Sequence, residues 1–398
     1  MVSIGFVYFC SVIKNNYELQ NDGTMKNILS KRTFIVLPLF LFSLHPLWGQ
    51  KSNFKNDICI PGKLYMLSDI RNDVFVEALI KRWRPYNDFV RFSGDCVYSR
   101  KLNRVASVDT PVDGSNMKIE LVNSDEFEII KEKAISICVG KKGIGTQEVT
   151  VQILGDSFVN GAFFRDALLS KNYIPGIKLV GLRNIKNEEG QYDEGRGGWT
   201  VKKYFEIPKG EMTSYHGYMQ PVGEYRYWGS CEFWKNCYKV INGELTDTEI
   251  VYNCGRYDQC ITKFDKETGY LAAPKKNDLM YDNARGSYMV YTGKKWKNVE
   301  VDERKWAFNY RKYLDMWNLD APKFFAQMLG LNDYRDSLTA DYREWNKKIA
   351  EMKESYYKAV PDGKFIILIP CTTCGSLNNI RGDFTLRQNA AMWQLRKN

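Results

Sequence analysis

The residues best suited to chemistry in this sequence are Gly155-Asp156-Ser157, at the end of the apolar run Val151-Gln152-Ile153-Leu154. A strand that ends in this turn and opens a helix presents the Ser157 hydroxyl at the carboxyl edge of a parallel sheet. That edge is where open α/β sheets bind their ligands. A hydroxyl there can attack a carbonyl, and backbone N–H groups at the helix N-terminus can receive the developing oxyanion. Taken alone, the tripeptide also fits a plain strand-to-helix turn with Ser as its N-cap. Two further blocks add to it. Gly195-Arg196-Gly197-Gly198-Trp199-Thr200 comes after a second apolar run, and Gly330-Leu331-Asn332-Asp333 comes directly after a third.

The elements that must position these blocks are legible as alternating patterns. Residues 149–154, 177–182, 324–329 and 365–369 read as strands. A helical pattern with Phe163, Phe164, Ala167 and Leu168 on one face follows Ser157, and another helix is expected to start within 198–205. Tyr342, Trp345, Ile349, Met352 and Tyr356 recur at helical spacing and read as the core face of a helix. Strands alternating with helices indicate a parallel sheet wrapped by helices. Upstream, residues 51–145 hold short apolar runs separated by turn residues, the pattern of an antiparallel β-sandwich. Residues 206–300 interrupt the alternation with clustered Cys, Gly and aromatic residues and few helical patterns, and read as an irregular or β-rich insertion.

The order of the three blocks resembles the GDSL/SGNH hydrolases: a Gly-Asp-Ser block, a glycine block, then Gly-x-Asn-Asp. The resemblance covers residues 148–205 and 318–395. It implies an α/β fold with a flavodoxin-like parallel sheet flanked by helices over 148–398, the 206–300 insertion included, preceded by the 51–145 sandwich. It also implies a serine esterase. Ser157 would be the nucleophile, Asp156 would support the motif, and Ser157 N–H, Gly198 N–H and the Asn332 amide would form the oxyanion hole. Gly197 competes with Gly198 for that role. An Asn amide is a fixed neutral donor, and one such donor is worth about 10²–10³ in rate. The implied substrate is a small acyl ester, an acetyl group on a polysaccharide, with no cofactor or metal.

One family block is missing. The Asp-x-x-His that supplies the general base does not occur, and the two histidines are His45 and His216. A serine hydroxyl is a weak nucleophile without such a base. The sequence ends in an amphipathic segment (Phe384, Leu386, Ala390, Met392, Trp393, Leu395), which reads as an interrupted, incomplete hydrolase domain. The alternative to an esterase is a non-catalytic glycan- or protein-binding protein. The aromatics Tyr225, Tyr227, Trp228 and Trp234 fit a carbohydrate ligand, but read first as core.

Composition narrows the remaining choices. The formal charge of +10 is spread among acids with no basic block, which argues against nucleic acid. Residues 25–49 read as a signal peptide: Met25 and Lys26, Lys31 and Arg32 precede the apolar run 34–44, which is too short to span a bilayer. Residues 1–24 then read as a mis-assigned start, and the protein as secreted or periplasmic. Export makes disulfides the expected state of Cys231, Cys237, Cys254 and Cys260, with the pairing open. A redox role for Cys371 and Cys374, or a zinc site, is the weaker reading of the cysteines.

Overall fold

This computed structural model describes residues 56–68, 70–75, 79–81, 88–95, 97–100, 105–140, 148–170, 176–184, 192–254, 257–335, 337, 339–370 and 383–398. The segments 1–24 and 25–49, and Cys10, Cys96, Cys371 and Cys374, lie outside those residues.

Period-two alternation builds the first part of the chain. Its strands are β1 (Lys63–Leu67), β2 (Asn72–Phe75), β3 (Asp88–Gly94), β4 (Val97–Arg100), β5 (Val105–Val108), β6 (Asn116–Asn123) and β7 (Ile129–Gly140). One sheet runs β1-β7-β6-β3 and a second runs β2-β5-β4. In β6, Met117, Ile119 and Leu121 are buried and alternate with the more exposed Asn116, Lys118 and Glu120. With Val74, Val90, Ala106, Val108, Ile135 and Ile137 they make one aliphatic core shared by both sheets. The larger sheet is mixed rather than purely antiparallel, because β1 enters parallel to β7.

The second part opens with β8 (Val149–Gly155), α1 (Ser157–Asn160), α2 (Phe163–Ser170), β9 (Ile177–Leu179) and β10 (Glu194–Gly195). The helix expected after Ser157 is broken in two. Gly161 ends the first piece, and Ala162 takes a left-handed φ of 63° before the second begins. The chain continues through β11 (Met219–Pro221), β12 (Arg226–Ser230), α3 (Cys231–Ile241), α4 (Thr248–Cys254), α5 (Asp258–Ile261), β13 (Asp278–Asp282), β14 (Ser287–Tyr291), β15 (Trp296–Val299) and β16 (Trp306–Phe308). It ends with α6 (Tyr310–Trp317), β17 (Phe324–Met328), α7 (Leu331–Tyr334), α8 (Arg343–Ala359), β18 (Lys364–Ile367) and α9 (Asp383–Lys397).

A parallel sheet runs β10-β8-β17-β18, with β9 also paired to β8. The flavodoxin-like, helix-flanked sheet expected from sequence is nevertheless a wrong description of the molecule. The architecture is an assembly of mixed, antiparallel and parallel sheets. Between β10 and β17 the chain builds a four-stranded mixed sheet, β12-β13-β14-β15, and a two-stranded ribbon, β11-β16. The physical reason lies in residue type. That stretch is rich in Tyr, Trp and Phe, which favour strands and bury large areas, and its aromatics share one core with Leu154 and Phe325 of the parallel sheet and with Trp345 and Tyr356 of α8.

The insertion also contains helices that the sequence did not announce. Ser230 caps α3, its hydroxyl accepting from Phe233 N at 3.2 Å, and Phe233, Trp234 and Cys237 turn inward. Tyr227, Trp228 and Trp234 are buried, with Trp234 stacked on Phe264 at 3.9 Å between ring centroids, so these aromatics are core and not a carbohydrate platform. On α8, Trp345, Ile349, Met352 and Tyr356 are buried. The last helix, α9, bridges the two parts. Its Leu395 packs on Gly330, and its Trp393 indole donates to Leu79 O at 2.9 Å. Among the described residues no helix is long and apolar enough to cross a membrane.

Candidate active site

Three loops meet at the carboxyl ends of β8, β10 and β17. The register pairs Gly155 with both Gly195 and Met328, so the residues that follow each strand leave the sheet side by side. Arg196 N donates to Gly155 O at 2.9 Å, which ties the glycine block to the Ser157 loop. Asn332 Nδ2 donates to Trp199 O at 3.1 Å, and the Asp333 carboxylate accepts from Val201 N at 3.0 Å, which tie the third loop to the second.

Ser157 is the first residue of α1 and is exposed. Asp156, its N-cap, is fully buried and accepts from Phe158 N at 3.0 Å through Oδ1. Its Oδ2 is shielded without a hydrogen-bond partner. Burial, and then the nearby Asp333 charge, push the Asp156 carboxyl up to about 7. Asp333 is itself pushed up to about 6 by burial, against the pull of the Val201 N–H. Gly198 is exposed with φ of +74°, a conformation that leaves its backbone open to an approaching ligand. Gly197 is more enclosed, because the Tyr252 hydroxyl of α4 sits where its Cβ would lie. That same hydroxyl bonds Asn160 Nδ2 at the end of α1. Ser157, Gly198 and Asn332 are thus on adjoining loops. The one amide proton of Asn332 that is engaged holds Trp199.

His216 does not act as a displaced base. It is buried, its Nδ1 accepts from Tyr218 N at 3.2 Å, and its Nε2 faces Glu206 O at 3.0 Å. With Nδ1 an acceptor, the proton sits on Nε2 and is donated to that carbonyl, so both ring nitrogens are engaged. Burial, reinforced by the Arg196 charge, pushes the imidazole down to about 3 and keeps it neutral.

Beneath the edge lies a polar layer that the motifs did not reveal. Glu194 and Arg196, both buried, pair at 2.8 Å. Glu194 Oε1 accepts from Leu182 N and from the Tyr313 hydroxyl, each at 2.6 Å. Arg196 donates to Tyr215 O at 2.6 Å and to the Tyr257 hydroxyl at 3.0 Å. Arg183 reaches Ser214 Oγ at 2.8 Å and Asn160 Oδ1 at 3.2 Å. The only hint in the sequence was charge set directly against the glycines at 193–198. A cleft of about 880 Å³ adjoins the edge, lined by Gly198, Trp199 and Lys203 and by Glu249, Tyr252 and Asn253 of α4, and of the three motif residues it is Gly198 that lines it, not Ser157 or Asn332. Among the described residues no group of His, Cys, Asp or Glu is arranged to hold a metal ion.

Comparison with known proteins yields no family. No family model matches the chain, and no curated protein matches it. A crystallised Bacteroides fragilis protein, provisionally assigned as an alpha-galactosidase/melibiase, is similar at 10% identity and a TM-score of 0.21. The match covers 79% of this chain and 52% of that one, so the chain spans about half its length. These findings correct the expected membership of the GDSL/SGNH hydrolases, because nothing in them supports that family. The physical reason is that each short block is also satisfied by ordinary local chemistry: an N-capped turn at Asp156, a left-handed glycine at 198, and hydrogen bonds from Asn332 and to Asp333 that staple loops together.

Proposed function

We propose that the chain acts on small acyl esters, acetyl groups on a polysaccharide, with Ser157 as nucleophile. Ser157 Oγ attacks the ester carbonyl. The oxyanion is met by Ser157 N–H, Gly198 N–H and the second amide proton of Asn332, the alcohol departs carrying the proton lost by Ser157, and water then cleaves the acyl-serine, leaving the free acid and returning a proton to Ser157 Oγ. The single observation that carries this reading is the convergence of an exposed Ser157 with the Gly198 and Asn332 loops at one parallel-sheet edge, stapled by the Asn332–Trp199 and Val201–Asp333 hydrogen bonds. The adjoining cleft gives the alcohol side a place to lie. Export from the cytoplasm, read from residues 25–49, belongs to the same proposal and suits an extracellular glycan.

A second reading is favoured by a different observation. His45 and His216 are the only histidines, His45 lies outside the described residues, and both nitrogens of His216 are engaged, so among the described residues no imidazole is offered to Ser157. On that reading the cleft holds a glycan or a protein partner without turnover. Acetate release from acetylated xylan separates the two. The esterase reading expects release that falls to background in Ser157→Ala. Equal release from both proteins overturns Ser157 as the nucleophile, and no release from either with glycan affinity intact favours binding.

A further inference from the structure

We infer that Cys237 and Cys254 are a disulfide-forming pair that clamps α4, and with it one wall of the cleft, onto α3. The two cysteines lie on different helices and both are fully buried. Cys254 Sγ lies 3.9 Å from Phe233 O. In an α-helix that carbonyl accepts from the N–H four residues on, which is Cys237, so the Cys254 sulfur sits against the turn of α3 that carries the Cys237 thiol. Both cysteines are free thiols in this structure, not the disulfides expected of the four clustered cysteines, and after burial Cys254 is the side chain that acts most on the Cys237 thiol. Cys231, on the first turn of α3, instead faces Tyr270 and Asp282. Cys260 lies 3.9 Å from Leu182 O. Of the pairings left open by spacing, the placement of the Cys254 sulfur supports the one with Cys237.

The clamp has a consequence for the cleft. The helix it fixes carries Glu249, Tyr252 and Asn253 into the cleft wall, and the Tyr252 hydroxyl bonds Asn160 behind Ser157. Burial raises the Cys237 thiol well above its ordinary value, so the folded thiol is a poor nucleophile and the bond forms as the helices assemble. With a small-molecule disulfide such as oxidised glutathione as the oxidant, one cysteine thiolate attacks it and expels a glutathione thiolate. The second cysteine then attacks the mixed disulfide and expels the other. Two protein thiols are oxidised to one disulfide, one glutathione disulfide is reduced to two thiols, and the two protons from the cysteines end on the glutathiones.

This inference rests on sulfur placement and not on the esterase reading. Its test is to refold the whole chain in a buffer of reduced and oxidised glutathione, block residual thiols in denaturant, and map the unreduced peptides by mass spectrometry. The expected result is one cross-linked peptide joining Cys237 to Cys254, together with slower proteolysis of the exposed 242–247 connection than in the reduced protein. Cys260→Ser keeps the cross-link and Cys254→Ser loses it. Recovery of Cys237 and Cys254 both blocked, or cross-linking of either to Cys231 or Cys260, overturns the assignment, and the wild-type map decides it even if a variant does not fold.

Discussion

The two cores of this molecule are built on different principles. The sandwich between β1 and β7 buries aliphatic side chains such as Val90, Ile119 and Ile137. The body that follows buries Trp234, Tyr218, Tyr257 and Tyr313, and beneath them the charged pair Glu194 and Arg196. An aliphatic core is held by area and fit and tolerates small losses. An aromatic core with hydroxyls and ions must satisfy each polar group, so its stability is concentrated in a few hydrogen bonds. The polar core lies under the edge that carries Ser157, where the loops have to be held in place.

The largest effect expected from this difference is at the buried pair. Glu194→Ala leaves Arg196 without its carboxylate and strands the Leu182 N–H and Tyr313 hydroxyl, at a cost of about 3–5 kcal/mol in urea unfolding followed by tryptophan fluorescence. A loss no larger than that of one methyl group would erase the contrast between the cores.

A pH-dependent effect follows at Asp156. Its folded carboxyl is raised to about 7, so the stability of the neutral form is complete below the ordinary carboxylate range and is lost as pH rises through about 7. Asp156→Asn keeps an N-cap acceptor and removes the ionisation. The variant should match the parent near pH ~4 and exceed it by ~3 kcal/mol near pH ~8. Parallel stability curves for the two proteins would contradict the burial assigned to this carboxyl.

In the sandwich the expected effect is smaller. Ile119→Val removes one methylene from a buried strand and should cost about 0.5–1.5 kcal/mol, with hydrogen exchange accelerated in β3, β6 and β7 and unchanged around β8. The smallest effect is none at all: the His216 ring signals should not move between about pH 5 and 8, because burial and Arg196 hold it neutral. A titration in that range would release its nitrogens for other work.

The same contrast explains which elements are legible in the sequence. Sandwich strands are visible because Met117, Ile119 and Leu121 alternate with the polar Lys118 and Glu120, and α8 is visible because Trp345, Ile349, Met352 and Tyr356 keep helical spacing. The turns at Ser157, Gly198 and Asn332 are visible as short blocks, but such blocks carry too little information to identify a family. Helix α3 is hidden because Phe, Trp, Tyr and Cys have middling helix propensity, and tertiary packing decides the outcome. The break at Ala162 and the pairing of Glu194 with Arg196 are hidden for a related reason. Neither a left-handed alanine nor a buried ion pair has a periodic signature, and along the chain Glu194 and Arg196 resemble the charges of any solvated turn.

The central claim is that the Ser157 edge receives an acyl group, and it is tested most directly by intact-protein and peptide mass spectrometry after incubation with p-nitrophenyl acetate. An activated leaving group lessens the demand for a general base, so the account predicts one acetyl group on the peptide bearing Ser157. The label should be absent in Ser157→Ala and reduced about 10²-fold or more in Asn332→Ala. No acetyl group on Ser157, or labelling of Ser157→Ala to the same extent, would contradict it.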